Sequence, residues 1–425
     1  MKVLYFLTLL LFFISCSSSH QEAKEVVKTV PRPDLDESVL YDKILGSLVG
    51  SAIGDAMGAP TEMWNRHDRQ KQYGYITELH AHNIEPSPEG LWDRNLPAGA
   101  TTDDTRWKVL IGNFITSNTT SFYTAQGSSP KLFSEQIIEL YQKEERALEK
   151  LEGGDSTEFA LQSRRMIWLQ EWAKVSEAFL SSDVETYTAA LHKFYGGDLL
   201  CAGMLYAPAM GLPFPGNPEQ AYRSAYRLGI FDQGYARDIT GLTAAMVAAA
   251  MDPKATQDSV FAVFESVDPH GYFQSRLMGR SSFRTYQSAL SMTSEVEKIQ
   301  EVGDYLMWNI PGKTELESYR IQRLYEQLDA QNQDLPAHAQ EILLVALTAM
   351  KYADFDFRQT MELITNYGRD NDTSAAVAGA VLGAYHGFSK LPDDLKVQVL
   401  QTNKKNLGID LVELANQLTT TLLLN

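Results

Sequence analysis

The chain has 425 residues, of which 44% are hydrophobic and 21% charged, enough apolar material for one large core or two ordinary ones. Its formal net charge of −17 argues against nucleic acid as a partner, because neutralising phosphates requires a basic surface. The same charge means that an anionic substrate would need a locally positive site inside a repelling background.

The opening stretch "MKVLYFLTLLLFFISCSSSH" reads as a targeting segment. Lys2 supplies the positive start, and the apolar run from Val3 to Ile14 is too short to span a bilayer as a helix. The run stops at Ser15-Cys16 and resembles the signal of a bacterial lipoprotein, whose cysteine becomes the lipidated first residue. That reading attaches the chain to a membrane through lipid on Cys16, in the cell envelope, facing the periplasm or the cell surface. An ordinary cleaved secretory signal is the alternative. Residues 1–16 are then signal and lipobox, 17–37 a flexible tether rich in charge and proline, and 38–425 the folded domain. With Cys16 modified, only Cys201 remains and no intrachain disulfide can form.

The first helix is "ESVLYDKILGSLVGSAIGDAMGAP", with Leu40, Ile44 and Leu48 on one face and Pro60 near its end. It carries glycine at every fourth position: Gly46, Gly50, Gly54 and Gly58. Helical periodicity then recurs over 105–115, 131–150, 157–180, 218–228, 236–250, 315–328 and 337–351. A second small-residue stripe follows in "NDTSAAVAGAVLGAYHG", at Ala375, Gly379, Gly383 and Gly387, before a last helix over 409–424. Alternating β-branched runs bounded by turns are nearly absent, so the fold class is all-α, a single helical domain read as a monomer. Each helical glycine costs ~1 kcal/mol relative to alanine. Two such stripes are expected to let two helix backbones approach closely, and the first and near-last helices are predicted to pack together. The alternative is that each packs against some other element.

Three stretches concentrate oxygen donors: "GDAMGAPTE" with Asp55 and Glu62, "GATTDDTRW" with Thr102, Asp103 and Asp104, and "GRDNDT" with Asp370, Asp372 and Thr373. Taken singly, each is explained by helix capping and by the preference of acids for a first turn. Taken together, four aspartates brought to one centre would repel strongly unless divalent cations lay between them. Carboxylates and hydroxyls without thiols suit Mg²⁺, or Mn²⁺, rather than zinc. "DNDTSAAVAGAV" is not an EF-hand, since Ala375 and Val381 stand where its glycine and glutamate belong. No HExxH, GxSxG, P-loop or strand-borne GxGxxG is present. His80 and His82 alternate but suggest no third ligand, and Cys201 reads as a small apolar filler.

These motifs, in this order, resemble those of the ADP-ribosylglycohydrolase family, whose pattern has a GDAxGxPxE-like first helix, a TDDT, and a late G-x-D-x-DT opening a glycine-rich helix. "GMLYAPAMGL" at Gly203–Leu212 is similar to a central Met-x-x-Ala-Pro segment of the family. The resemblance covers roughly residues 40–392 and implies an all-α orthogonal bundle around a site for two Mg²⁺ ions. By resemblance, Thr102, Asp103 and Asp104 supply one set of metal ligands, and Asp370, Asp372 and Thr373 the other. Glu62 is implied as the catalytic acid/base or water-positioning residue, with Asp55 behind the site rather than in it. The implied activity is hydrolysis of the glycosidic bond of an ADP-ribosyl or related riboside, small molecule or protein adduct. The alternative is a non-enzymatic nucleotide-binding member of the same fold.

The chain departs from the family in "YRLGIFDQGYARDITG", where Asp232, Tyr235 and Asp238 occupy a loop that usually carries a Thr-His pair. Arg276, Arg280 and Arg284 recur at helical spacing and read as a solvated face, with phosphate binding the alternative. Tyr222 and Tyr226 share that spacing and read as core packing, with stacking on a base the alternative.

Overall fold

The computed structural model describes residues 30–81, 96–124, 127–151 and 156–424. The signal with Cys16, most of the expected tether, and His82 lie outside the described residues. In chain order the helices are α1 (Glu37–Gly58), α2 (Arg66–Tyr73), α3 (Asp103–Phe122), α4 (Pro130–Glu149), α5 (Ser156–Leu180) and α6 (Val184–Leu191). There follow α7 (Ala207–Gly211), α8 (Pro218–Leu228), α9 (Ala236–Ala250), α10 (Gln257–Phe261), α11 (Val263–Ser266) and α12 (Ser281–Glu297). The last are α13 (Glu315–Asp329), α14 (Ala339–Tyr352), α15 (Phe357–Tyr367), α16 (Asn371–His386), α17 (Asp393–Thr402) and α18 (Leu411–Leu423). Among the described residues β pairing is confined to isolated bridges, which include Trp64 with Arg369 and Leu200 with His338. None of the described helices is long and apolar enough to cross a membrane.

The two glycine stripes meet each other. Gly46 faces Gly383, Gly50 faces Gly379, Gly54 faces Ala375, and Gly58 lies on the backbone of Asp372, so α1 and α16 run antiparallel. A methyl group built on Gly46, Gly50, Gly54, Gly379 or Gly383 would collide with a backbone carbonyl of the opposite helix. Glycine is used here because nothing larger fits between the two backbones. Around this pair, α9, α14 and α15 pack on α16, and α3, α17 and α18 pack on α1. Every residue of α16 from Asn371 to Ala384 is buried.

Polar groups tie down the far end of the pair. The buried Lys43 ammonium donates to the carbonyls of Ala250 (3.0 Å) and Ala384 (2.8 Å), in the last turns of α9 and α16. One cation thereby satisfies the negative ends of two helices. The last residues of the expected tether do not hang free. Val30 N–H donates to the Tyr123 carbonyl (2.7 Å), and the Arg32 guanidinium lies 4.9 Å over the Tyr123 ring.

Alanine at Gly50 or Gly379 is expected to lower the free energy of unfolding by about 3 kcal/mol or more, because the obstacle is backbone that cannot rotate away. Alanine at Gly112 should cost much less, since its new methyl meets the Leu414 side chain at 2.9 Å, which can turn aside. Urea denaturation of the three variants measures the difference.

Candidate active site

The antiparallel seam carries the end of α1 to the start of α16, and the site forms at that junction. Asp55 lies in the last turn of α1, and Glu62 follows a short 3₁₀ turn, Ala59–Thr61. Asn371, the first residue of α16, donates to the Thr61 hydroxyl (2.9 Å), so the two motifs are fastened directly.

Asp55 is fully buried and organises the second motif. One of its oxygens accepts from the backbone N–H (2.9 Å) and hydroxyl (3.0 Å) of Thr102, the other from the N–H (3.0 Å) and hydroxyl (2.6 Å) of Thr105. Both carboxylate oxygens are thus committed, and the residue clamps the first turn of α3. Thr102 is the cap of α3, accepting from the Asp104 N–H. Asp104 takes the Lys108 ammonium (2.8 Å) on one oxygen and the Thr373 hydroxyl (3.0 Å) on the other. The Thr102 hydroxyl also lies 3.4 Å from Asp372 Oδ2. The second and third motifs, some 270 residues apart, are therefore in hydrogen-bond contact.

Two residues on the loops flanking this cluster are held with positive φ, Met63 at +62° and Arg369 at +61°. They belong to one small β bridge, in which Met63 N–H donates to the Arg369 carbonyl (2.7 Å) and Arg369 N–H to the Trp64 carbonyl (2.8 Å). The Arg369 side chain is anchored by Glu341 and by the Gln333 carbonyl (2.7 Å). Such conformations cost ~1–3 kcal/mol each and persist where surrounding structure imposes them.

The junction opens into a cavity of about 360 Å³. Its lining combines Glu62, Asp103, Asp370, Asp372 and Thr373 with apolar residues that include Met63, Trp172, Phe194, Tyr195, Leu200 and Cys201. Thr102 and Asp104 are not on the wall; they are turned to Asp55, Lys108 and Thr373 behind it. Oδ1 of Asp370 and Oδ1 of Asp372 are buried and receive no hydrogen bond from the protein. Asp370, although it precedes α16, makes no side-chain cap, so capping does not account for it.

Burial and mutual repulsion push the acids toward protonation. Burial and then the Asp370 charge raise Glu62 well above the usual carboxylate range. Burial and Asp104 lift Asp103 to about 8 and Asp370 to about 6. Burial, Glu62 and Asp370 raise Asp372 well above its ordinary value. The acids and Thr373 of the lining are hard oxygen donors of the kind that suits Mg²⁺ or Mn²⁺. Among the described residues, no three His, Cys, Asp or Glu side chains stand in position to hold one ion. Any ion would draw on fewer acids, with hydroxyls, water and ligand completing its shell.

Other singled-out residues lie elsewhere. Arg280 is neither a solvated nor a phosphate-facing arginine. It is fully buried, just before α12, and grips Asp238 through Nε (3.0 Å) and an Nη (2.7 Å). Arg276 and Arg284 are exposed, and Arg276 precedes the helix that was to align the three. Tyr222 donates to the same Asp238 (2.6 Å) and stacks on Tyr226 with centroids 5.7 Å apart, as core packing. Asp232 accepts from the Gly203 N–H (2.7 Å) and so holds the "GMLYAPAMGL" turn. Tyr235 donates to Gln340 (2.7 Å). The departing loop is therefore structural. Cys201 lines the cavity with its thiol raised by burial and by Asp370, as suits a filler. His80 packs edge-on against Tyr73. Lys108 and the aromatic wall were not foreseen, although Lys108 stands one turn after Asp104.

A model of the ADP-ribosylglycohydrolase family matches residues 36–423. Among curated proteins, one described as "Uncharacterized protein YegU", of Escherichia coli (strain K12), is 23% identical over 363 residues, covering 85% of this chain and 93% of its own. A solved structure titled "ADP-ribosylglycohydrolase-related protein complex" is similar over 90% of this chain and 99% of that one, with a TM-score of 0.55 at 17% identity. At that identity the likeness speaks for the fold.

Arg280→Ala should destabilise the protein by about 3–5 kcal/mol, because it strands the Asp238 carboxylate in the core. Arg276→Ala should stay within about 0.5 kcal/mol. Thermal or chemical denaturation separates the two.

Proposed function

Because the chain belongs to the ADP-ribosylglycohydrolase family, we propose that it is a metal-dependent hydrolase that cleaves the glycosidic bond of an ADP-ribosyl or related riboside. The observation that carries this reading is the meeting of the three acid motifs on one cavity, with buried oxygens of Asp370 and Asp372 left unpaired. A buried anionic oxygen without a partner is costly, and a bound cation relieves it. Asp103, Asp370, Asp372 and Thr373 would hold the ions at the cavity, and Thr102 and Asp104 would join them only by giving up bonds to Asp55, Lys108 and Thr373. Bound there, two Mg²⁺ ions would supply Lewis acidity toward the ribose hydroxyls and toward water.

The remaining work falls to side chains. Carboxylates around the cavity favour positive charge developing at the anomeric carbon in an oxocarbenium-like transition state. Glu62, on the cavity wall with a raised affinity for its proton, is suited to exchange a proton with the attacking water or the leaving group. In balance, the water oxygen bonds to the anomeric carbon and the old glycosidic electron pair leaves with the aglycone. One water proton stays on the sugar hydroxyl and the other reaches the aglycone. Asp55 touches no substrate position; it positions α3.

The lipoprotein-like start would deliver this domain to the cell envelope by lipid on Cys16. The alternative, ADP-ribose binding without cleavage, predicts calorimetric binding and intact ligand.

With Mg²⁺ present, the purified protein is expected to hydrolyse a riboside, and EDTA to abolish turnover until Mg²⁺ or Mn²⁺ is restored. Glu62→Gln should lower kcat by roughly 10²–10⁴-fold. Asp372→Ala should remove detectable turnover while leaving the helical circular dichroism unchanged. Full activity in EDTA, or in the Asp372→Ala variant, would refute the reading.

A further inference from the structure

We propose that the cavity takes a riboside whose leaving group is uncharged and aromatic, a nucleoside rather than a diphosphate-bearing ADP-ribosyl compound; this rests on the glycohydrolase reading above. The argument begins with charge. No lysine, arginine or histidine is among the described residues lining the cavity. Of the buried and half-buried basic groups described above, Lys108 is committed to Asp104, Arg369 to Glu341 and Arg280 to Asp238. Arg106 acts electrostatically on Asp103 without standing on the wall. A diphosphate would meet the cavity's acids with no basic side chain of the described lining to offset them, in a chain of net charge −17.

Shape points the same way. A volume of about 360 Å³ is near the lower end of small-molecule pockets and is room enough for a nucleoside. In the same cavity as the acids stand Trp172, Phe194 and Tyr195, with Phe194 edge-on to Trp172 at 5.0 Å and to Tyr195 at 4.7 Å. Tyr195 is held at φ +43°, and Gly196 and Gly197 after it also have positive φ. A left-handed tyrosine is uncommon and stores strain, and such residues gather at ligand sites. Met63, the other left-handed lining residue, is 49% exposed. These side chains offer an aromatic leaving group apolar surface in the same cavity as the acids that its ribose would meet.

The test is a matched series with Mg²⁺: inosine, inosine 5′-monophosphate and an ADP-ribosylarginine peptide, followed by mass spectrometry of the products. In each case water adds to C1′, the C1′–N pair departs with the aglycone, and no other reactant is consumed. Inosine is expected to have the highest kcat/KM, by at least about tenfold. Preference for the phosphorylated or ADP-ribosyl substrate would overturn this inference and keep the glycohydrolase; failure to cleave any of the three would overturn both. Tyr195→Ala should raise KM for inosine about tenfold, the loss of one stacked ring, and Tyr195→Phe should restore it. Ala337→Lys, which puts an ammonium on the wall, should narrow the gap between inosine and its monophosphate. An unchanged KM in Tyr195→Ala, or an unchanged gap in Ala337→Lys, would count against the proposal.

Discussion

The approach of α1 to α16, close enough that their carbonyls exclude a methyl group, is the constraint from which the site follows. Antiparallel packing at that distance leaves no freedom of register, because Gly46, Gly50 and Gly54 are each matched to a small residue on the other helix. The end of α1 must then lie on the start of α16, and the acids flanking both ends must share one region. The hydrogen bond from Asn371 to Thr61 and the Asp55 clamp on Thr102 and Thr105 elaborate this geometry. The site is a by-product of where two helices are allowed to touch.

Gathering acids in this way works against stability, since each raises its neighbours' affinity for protons. The fold answers by pairing what lies behind the wall and leaving open what lies on it. Asp55 is saturated by four donors and Asp104 by Lys108 and Thr373, whereas Asp370 and Asp372 each keep a buried oxygen without a partner. Groups that set geometry are satisfied within the protein. Those that meet a ligand are not, which is the usual division between support and chemistry.

The all-α class, the meeting of the glycine stripes and the convergence of the three motifs were legible in the sequence because each is written in short, regular spacing. Helices over 218–228 and 236–250 are found where periodicity placed them. What was hidden depends on tertiary neighbours. Arg280 looks like part of an arginine face only if 276–284 is helical; the left-handed Leu277 and Gly279 break that stretch, and its carboxylate partner Asp238 is 42 residues away. Trp172, Phe194 and Tyr195 come from one helix and a separate turn, so no spacing announces a common wall. Whether Thr102 and Asp104 face a cavity or its backing is a matter of side-chain rotation, on which spacing is silent. The stretch ending at residue 36 reads as a tether by composition, yet Val30 and Arg32 find partners on Tyr123.

The seam between the first and sixteenth helices also has a temporal side. Thr61 and Asn371 are 310 positions apart, so at ~5–20 residues per second the ribosome needs roughly 15–60 s to supply the second after the first. Until then the glycine face of α1 has no counterpart to close on, and the nascent polypeptide holds at most two of the three acid motifs. Long-range closure of this kind folds slowly. A fragment released early would carry the signature residues and none of the chemistry, so activity is a property only of the finished molecule.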